Sequence, residues 1–83
     1  MKQYLGYHVG DIVDVECAVA NGYRSHVGRI LDFSASQHGV VIELRTDAQY
    51  LEILLGHGNK IVRKLQPNNF LNPEYYTFLK NLA

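Results

Sequence analysis

The stretch that decides the fold is Ile12-Val13-Asp14-Val15-Glu16-Cys17-Ala18-Val19. Apolar residues recur at every second position, and the two acids Asp14 and Glu16 fall between them. A period of two is that of a β-strand with one face in a core and the other in water. The positions predicted to face the core are Val13, Val15, Cys17 and Val19.

Segments with strand patterns follow downstream, at residues 26–33, 40–45, 50–55 and 60–65. Asn21-Gly22 predicts a turn before the first of them. The alternation breaks between Ile30 and Phe33, which predicts a bulge, and Gly28 suits close packing there. Gly56-His57-Gly58-Asn59 predicts a hairpin loop that joins the last two strands. The further core positions predicted by these patterns are Val40, Ile42, Leu44, Leu51, Ile53 and Leu55.

A helix is predicted near the end of the chain, over about residues 73–82. Asn72 is a good N-cap, Pro73 suits the first helical position, and Glu74 places an acid in the first turn. The residues that follow at helical spacing form an apolar stripe. They are Tyr75, Phe78, Leu79 and Leu82.

Short strands at a regular spacing are typical of a small antiparallel barrel. We therefore predict one mostly β domain over residues 1–83, a five-stranded antiparallel barrel with a short C-terminal helix. Glycines and valines recur in a pattern over about residues 9–44: Gly10-Asp11, Val13, Val15 and Gly22, followed by Gly28-Arg29-Ile30 and Val40-Val41-Ile42-Glu43. This pattern resembles that of KOW and Tudor-like members of the SH3-like barrels. The resemblance implies an SH3-like barrel and association with RNA or the ribosome, although the loop between Val15 and Gly22 has fewer lysines than typical KOW modules.

The composition is that of a globular domain. The 83 residues are 47% hydrophobic and 19% charged, and the formal net charge is zero. A neutral chain lacks the basic excess that marks many nucleic-acid and membrane binders. The single cysteine excludes an intramolecular disulfide, and no apolar run is long enough for a membrane span. Without a signal-peptide pattern at its start, the chain is predicted to be cytoplasmic.

Catalytic chemistry has little support in the sequence. Cys17 and a histidine would make a nucleophile and base, but Cys17 is predicted to face the core, where cysteine acts as a small apolar residue. The histidines and the cysteine are not at zinc-ligand spacing. The glycines of residues 56–60 resemble a phosphate loop but lack its Lys-Ser/Thr ending. We expect no enzyme activity, no metal and no cofactor.

The charges that cancel overall are unevenly placed. Residues 1–44 carry a net charge of −2 and residues 45–83 a net charge of +2. Bases cluster on the last predicted hairpin, and an aromatic residue and an arginine lie in the loop after the first strand. The residues predicted to contact a partner are Tyr23, Arg24, His57, Lys60, Arg63 and Lys64.

An aromatic ring beside cationic groups suits a protein partner or a stacked base equally well. We predict a non-enzymatic binding module, and we favour a protein-protein interaction adaptor or regulator because few bases are available for phosphate contacts. The alternative is a module that binds nucleic acid or a transcription or translation complex through the basic hairpin. A chain of this size has a small core, so the sequence also leaves open a homodimer.

Overall fold

The computed structural model describes residues 1–66, all of whose regular elements are β-strands. A short hairpin opens the chain and a five-stranded antiparallel sheet follows it. The strands of the hairpin are β1 (Gln3–Tyr4) and β2 (Tyr7–His8). The strands of the sheet are β3 (Ile12–Val19), β4 (Gly22–Ser36), β5 (Gly39–Thr46), β6 (Tyr50–Leu54) and β7 (Lys60–Lys64).

The sheet has the strand order β6-β5-β4-β3-β7. The long strand β4 connects its two halves, because its first part pairs with β3 and its second part with β5. The register shifts between Ile30 and Asp32, where the sequence predicts a bulge. Gly28 is buried at the changeover and pairs with Val13 on one side and Thr46 on the other. Both sequence predictions, the bulge and the close packing at Gly28, are confirmed.

The core lies on one face of the sheet, here called the core face. Its buried residues are Val13, Val15, Ile30, Phe33, Ile42, Leu44 and Ile53. Cys17, Val40, Leu51 and Leu55 are partly buried against this cluster, as their patterns predict. Val19 does not join it, because the last residues of β3 extend beyond the core and leave Val19 46% exposed.

The opposite face, here called the outer face, carries the charged residues of β3 and β5, such as Asp14, Glu16 and Glu43. It also has a small apolar cluster that the sequence reading missed, in which Ile12 and Leu65 are buried together and Val27 packs against them. Leu65 donates its backbone N–H to the carbonyl of Ile12. This contact fixes the end of β7 next to the start of β3.

The predicted closed barrel is wrong. Closure requires the edge strands β6 and β7 to pair, whereas within residues 1–66 they lie at opposite edges of an open sheet. The predicted hairpin between them is wrong for the same reason, since β7 pairs with β3. The turn itself exists, closed by two backbone hydrogen bonds between Gly56 and Asn59.

The turn also explains why β7 leaves β6. His57 and Gly58, the two central residues of the turn, have positive φ angles, as a tight hairpin turn requires, so the turn by itself would return the chain beside β6. The Asn59 side chain, however, donates a hydrogen bond to the Leu54 carbonyl at the end of β6, which is the acceptor that Ile61 would use if the hairpin continued. The helix predicted over residues 73–82 lies outside the described residues.

Candidate binding groove

The residues predicted to contact a partner do not come together in one place. Tyr23 lies opposite Ala18 and Arg24 opposite Cys17 in the β3–β4 register. Because side chains alternate along a strand, Tyr23 belongs to the outer face and Arg24 to the core face. His57 lies in the turn after β6, and the remaining bases lie on β7. A ligand on one face of the sheet would therefore meet either Tyr23 or Arg24.

Two bases of β7 lie beside an acid of β3 and an acid just before β3. The Arg63 guanidinium lies 3.6 Å from a carboxylate oxygen of Asp14, and the Lys64 ammonium lies 3.3 Å from Asp11. Asp14 also accepts a hydrogen bond from the Ser25 hydroxyl, and Asp11 accepts one from the His8 backbone N–H. Two of the three bases of β7 are thus paired with carboxylates of the same sheet or of the residue before it.

Cys17 lies on the core face, partly buried beside the main core cluster. Burial raises the pKa of its thiol, which lowers the thiolate population that a nucleophile needs. Within residues 1–66 no three His, Cys, Asp or Glu side chains are grouped so that they could hold a metal ion. In the fold, Cys17 packs beside the core cluster as a small apolar residue does.

A groove of about 310 Å³ lies between the N-terminal hairpin and the turn that leads into β7. We call it the hairpin groove. One wall is formed by Tyr4, Leu5 and Tyr7, and the other wall belongs to the residue after β6, the turn and the start of β7. The lining residues of that second wall are Leu55, Gly56, Asn59, Lys60 and Ile61.

The hairpin wall is anchored to the core. The Tyr4 and Phe33 rings are tilted against each other with their centroids 5.9 Å apart, and Tyr7 also packs on the core cluster. The N-terminal ammonium of Met1 donates to the Phe33 carbonyl at 3.0 Å. Two tyrosines with a fixed backbone give the groove a preformed aromatic wall.

The tip of the hairpin is unusual. Leu5 has a φ of 51°, in the left-handed region that non-glycine residues rarely adopt, and Gly6 follows with a φ of 82°. Leu5 is nevertheless an aliphatic residue, and it is 76% exposed at the rim of the groove. Asparagine would fit this backbone better, so the conformation costs free energy that the fold has to offset.

The opposite wall is held by Asn59. Its side chain accepts a hydrogen bond from the Ala18 backbone N–H at 3.0 Å and donates one to the Leu54 carbonyl at 2.9 Å. These bonds join the turn to β3 and β6 at once. Gly58 fits close to Ala18, because a Cβ at that glycine would lie 2.7 Å from the alanine Cβ. The groove therefore has two walls that are each fixed by contacts to the sheet.

Of the predicted contact residues, only Lys60 lines this groove. The sequence reading missed the hairpin wall because strands of two residues are too short to show a period. A signal was present in Tyr4-Leu5-Gly6-Tyr7, where a glycine at a turn is flanked by aromatic residues.

Within residues 1–66 no helix has the length and apolar character needed to cross a membrane. The chain was also compared with known proteins. No protein-family model, no curated protein and no solved structure matches it, so its resemblance to KOW and Tudor-like modules stays a prediction from the sequence.

Proposed function

We propose that this chain is a non-enzymatic, cytoplasmic protein-binding module that takes a short segment of a partner protein in the hairpin groove. The observation that carries the proposal is the groove itself, with an aromatic and aliphatic lining and a lysine at one side. Small ligand sites in proteins are typically apolar concavities of this size, with a few polar groups that fix orientation. A volume of about 310 Å³ suits one or two side chains of a bound segment.

The lining indicates the chemistry of that segment. Tyr4, Tyr7, Leu55 and Ile61 favour an aliphatic or aromatic side chain. Lys60 has no ion pair within residues 1–66, although Glu16 lies opposite it across β3 and β7. A carboxylate on the ligand would therefore complement Lys60. The expected ligand is a peptide with an apolar residue close to an acidic one.

The alternative of nucleic-acid binding through β7 is less well supported. Arg63 and Lys64 lie next to Asp14 and Asp11, so a phosphate backbone would have to compete with carboxylates already in place. Phosphate contacts supply most of the affinity of nonspecific nucleic-acid binding. We therefore place protein binding first.

The test is selection of short random peptides against the full chain, followed by calorimetry on the enriched sequences. We expect enrichment of peptides that carry an acidic residue beside an apolar one. Lys60→Ala and Leu5→Ser should each weaken binding about fivefold or more, as for residues that contribute to a binding hot spot. Both side chains are exposed enough to be changed without loss of the core.

Arg24→Ala is the matched control, since it removes an exposed base that does not line the groove. Its affinity for the same peptides should equal that of the unmodified chain. Peptides that bind all three variants equally well would place the site elsewhere. Failure to enrich any peptide, together with tight binding to mixed-sequence RNA or DNA, would favour the nucleic-acid alternative.

A further inference from the structure

Within residues 1–66 the outer edge of β6 pairs with no other strand, and its backbone groups point away from the sheet. The β5–β6 ladder is bracketed by two backbone hydrogen bonds of 2.9 Å, from Thr46 N–H to the Gln49 carbonyl and from Leu55 N–H to the Val40 carbonyl. Both pairs continue the β5–β6 register. In an antiparallel ladder, hydrogen-bonded and non-hydrogen-bonded pairs alternate. These two hydrogen bonds, one at each end of the ladder, therefore determine which residues of β6 bond to β5.

By this alternation the backbone N–H and C=O groups of Leu51 and Ile53 bond to β5. The backbone groups of the other residues point outward, away from the sheet; these residues are Tyr50, Glu52 and Leu54. The hydrogen bond from the Asn59 side chain to the Leu54 carbonyl agrees with this assignment. That carbonyl is thus already occupied. The groups left for another strand are centred on Glu52, whose N–H and C=O both face outward.

The other edge of the sheet is protected against strand addition. The register between β3 and β7 shifts at Val62, as a bulge does, and Lys60, Arg63 and Lys64 are charged. Bulges and charged side chains, lysine above all, are the devices by which natural sheets blunt an edge. Between its ends β6 has neither a proline nor a bulge, and its single charged residue is Glu52. In the sheet that residues 1–66 form, β6 is therefore the edge that can accept another strand.

The charge next to this edge indicates which strand it would accept. Glu52 lies directly opposite Glu43 in a non-hydrogen-bonded pair, the pair type in which side chains are closest. Glu43 in turn lies opposite Asp32 on β4. Like charges placed opposite each other destabilise a sheet. Arg45, two residues from Glu43 on β5, lies over the Tyr50 ring at 5.0 Å. Within residues 1–66 it forms no ion pair with Glu43 or Glu52, and Asp32 has none either.

We propose that the edge of β6 is a strand-addition site for a basic, extended segment of a partner protein. The partner backbone would bond to the N–H and C=O of Glu52, and a lysine or arginine beside Glu52 would compensate the Glu43–Glu52 repulsion. A second copy of the chain adding its own β6 would bring two Glu52 side chains together, which the same electrostatics disfavour. The inference rests on the β6 ladder and does not depend on the hairpin groove.

The test uses two synthetic strand peptides, one with alternating lysine and valine and one with glutamate in place of each lysine. The isotope-labelled full chain is titrated with each peptide and followed by NMR. We expect the basic peptide to shift the backbone amides of Tyr50, Glu52 and Leu54, and to bind about tenfold more tightly than the acidic one. Equal binding of the two peptides, or shifts confined to β7, would overturn the proposal.

Two variants separate the backbone contribution from the charge contribution. Glu52→Pro removes an N–H that β5 does not use, so the thermal melt should change little while binding of the basic peptide is lost. Glu52→Lys keeps that N–H and should reverse the preference in favour of the acidic peptide. Retained binding in Glu52→Pro would contradict the proposal. So would an unchanged preference in Glu52→Lys, which serves as the readout if the proline variant fails to fold.

Discussion

Gly28 shows how one residue sets the geometry of this sheet. It is buried where β4 changes partner from β3 to β5. A Cβ built at this glycine would lie 2.6 Å from the Leu44 side chain and 2.8 Å from the Arg45 carbonyl oxygen. The absence of a side chain is therefore what lets β5 approach β4 at this point.

Gly28→Ala should destabilise the fold by about 1–3 kcal/mol, the usual cost of overpacking a close contact. The clash includes a backbone atom, which cannot move aside as a flexible side chain can. Urea denaturation followed by circular dichroism measures the change. Ser34→Ala, exposed on the same strand, is the control and should change stability by less than about 0.5 kcal/mol. A Gly28→Ala variant as stable as this control would contradict the register given for β4 and β5.

Cys17 should be slow to alkylate at neutral pH in the folded chain and faster in the urea-unfolded chain. Burial raises the pKa of the thiol in the fold, so the folded chain keeps the thiol proton to higher pH than the unfolded chain does. The associated stability is fully present at neutral pH and is lost as the pH rises through the folded pKa. Equal labelling rates in the two states would show that Cys17 is not protected, and would revive a nucleophilic role.

At the scale of elements, the N-terminal hairpin has a second task besides forming one wall of the groove. Tyr4 and Tyr7 pack on the core cluster, and Tyr4 contacts Phe33. Backbone hydrogen bonds join Met1 to Phe33 and Gly10 to Ile30. The hairpin therefore covers part of the core face that the open sheet would otherwise leave exposed.

Tyr4→Ala should lower the free energy of unfolding by about 2–3 kcal/mol, because a half-buried aromatic contact to the core is lost. Tyr23→Ala is the matched control, since Tyr23 is 66% exposed at the start of β4. That variant should lose less than about 1 kcal/mol. Similar losses in the two variants, measured by thermal melting, would mean that the hairpin does not cover the core.

For the whole molecule, the charge separation predicted from the sequence is partly cancelled by folding. The pairing of β3 with β7 places acids from the first half of the chain beside bases from the second half. Two ion pairs result, one between Asp14 and Arg63 and one between Asp11 and Lys64. The basic segment of the sequence is therefore not a basic surface of equal strength in the fold.

Binding to mixed-sequence RNA should accordingly be weak, and log affinity should fall with log salt with a slope shallower than about −3. Filter binding at several salt concentrations gives this slope. The double variant Asp11→Asn with Asp14→Asn removes both carboxylates beside Lys64 and Arg63 and should steepen it. A steep slope in the unmodified chain would show that the bases of β7 bind phosphate despite their neighbours.

The sequence by itself determined the strands β3 to β7 and most of the core face, because alternation of apolar and polar residues is a local property. Val13, Val15, Ile42, Leu44 and Ile53 are buried as the pattern predicts. The break between Ile30 and Phe33 located the bulge, since a bulge interrupts the same local period. The hairpin of residues 3–8 was missed because two residues per strand show no period.

Only the tertiary structure decided which strands become neighbours, and with that the shape of the sheet and the position of the groove. Residues 60–64 carry a strand pattern whether they pair with β6 or with β3, since both partners bury the same face. The hydrogen bond from the Asn59 side chain to the Leu54 carbonyl occupies an acceptor that a returning strand would need, and so directs the chain away from β6. Contacts between distant residues, such as Ile12 with Leu65, then select β3. An alternating pattern in the sequence indicates which face of a strand is buried. It does not indicate which strand will be the neighbour, because pairing depends on contacts between segments far apart in the chain.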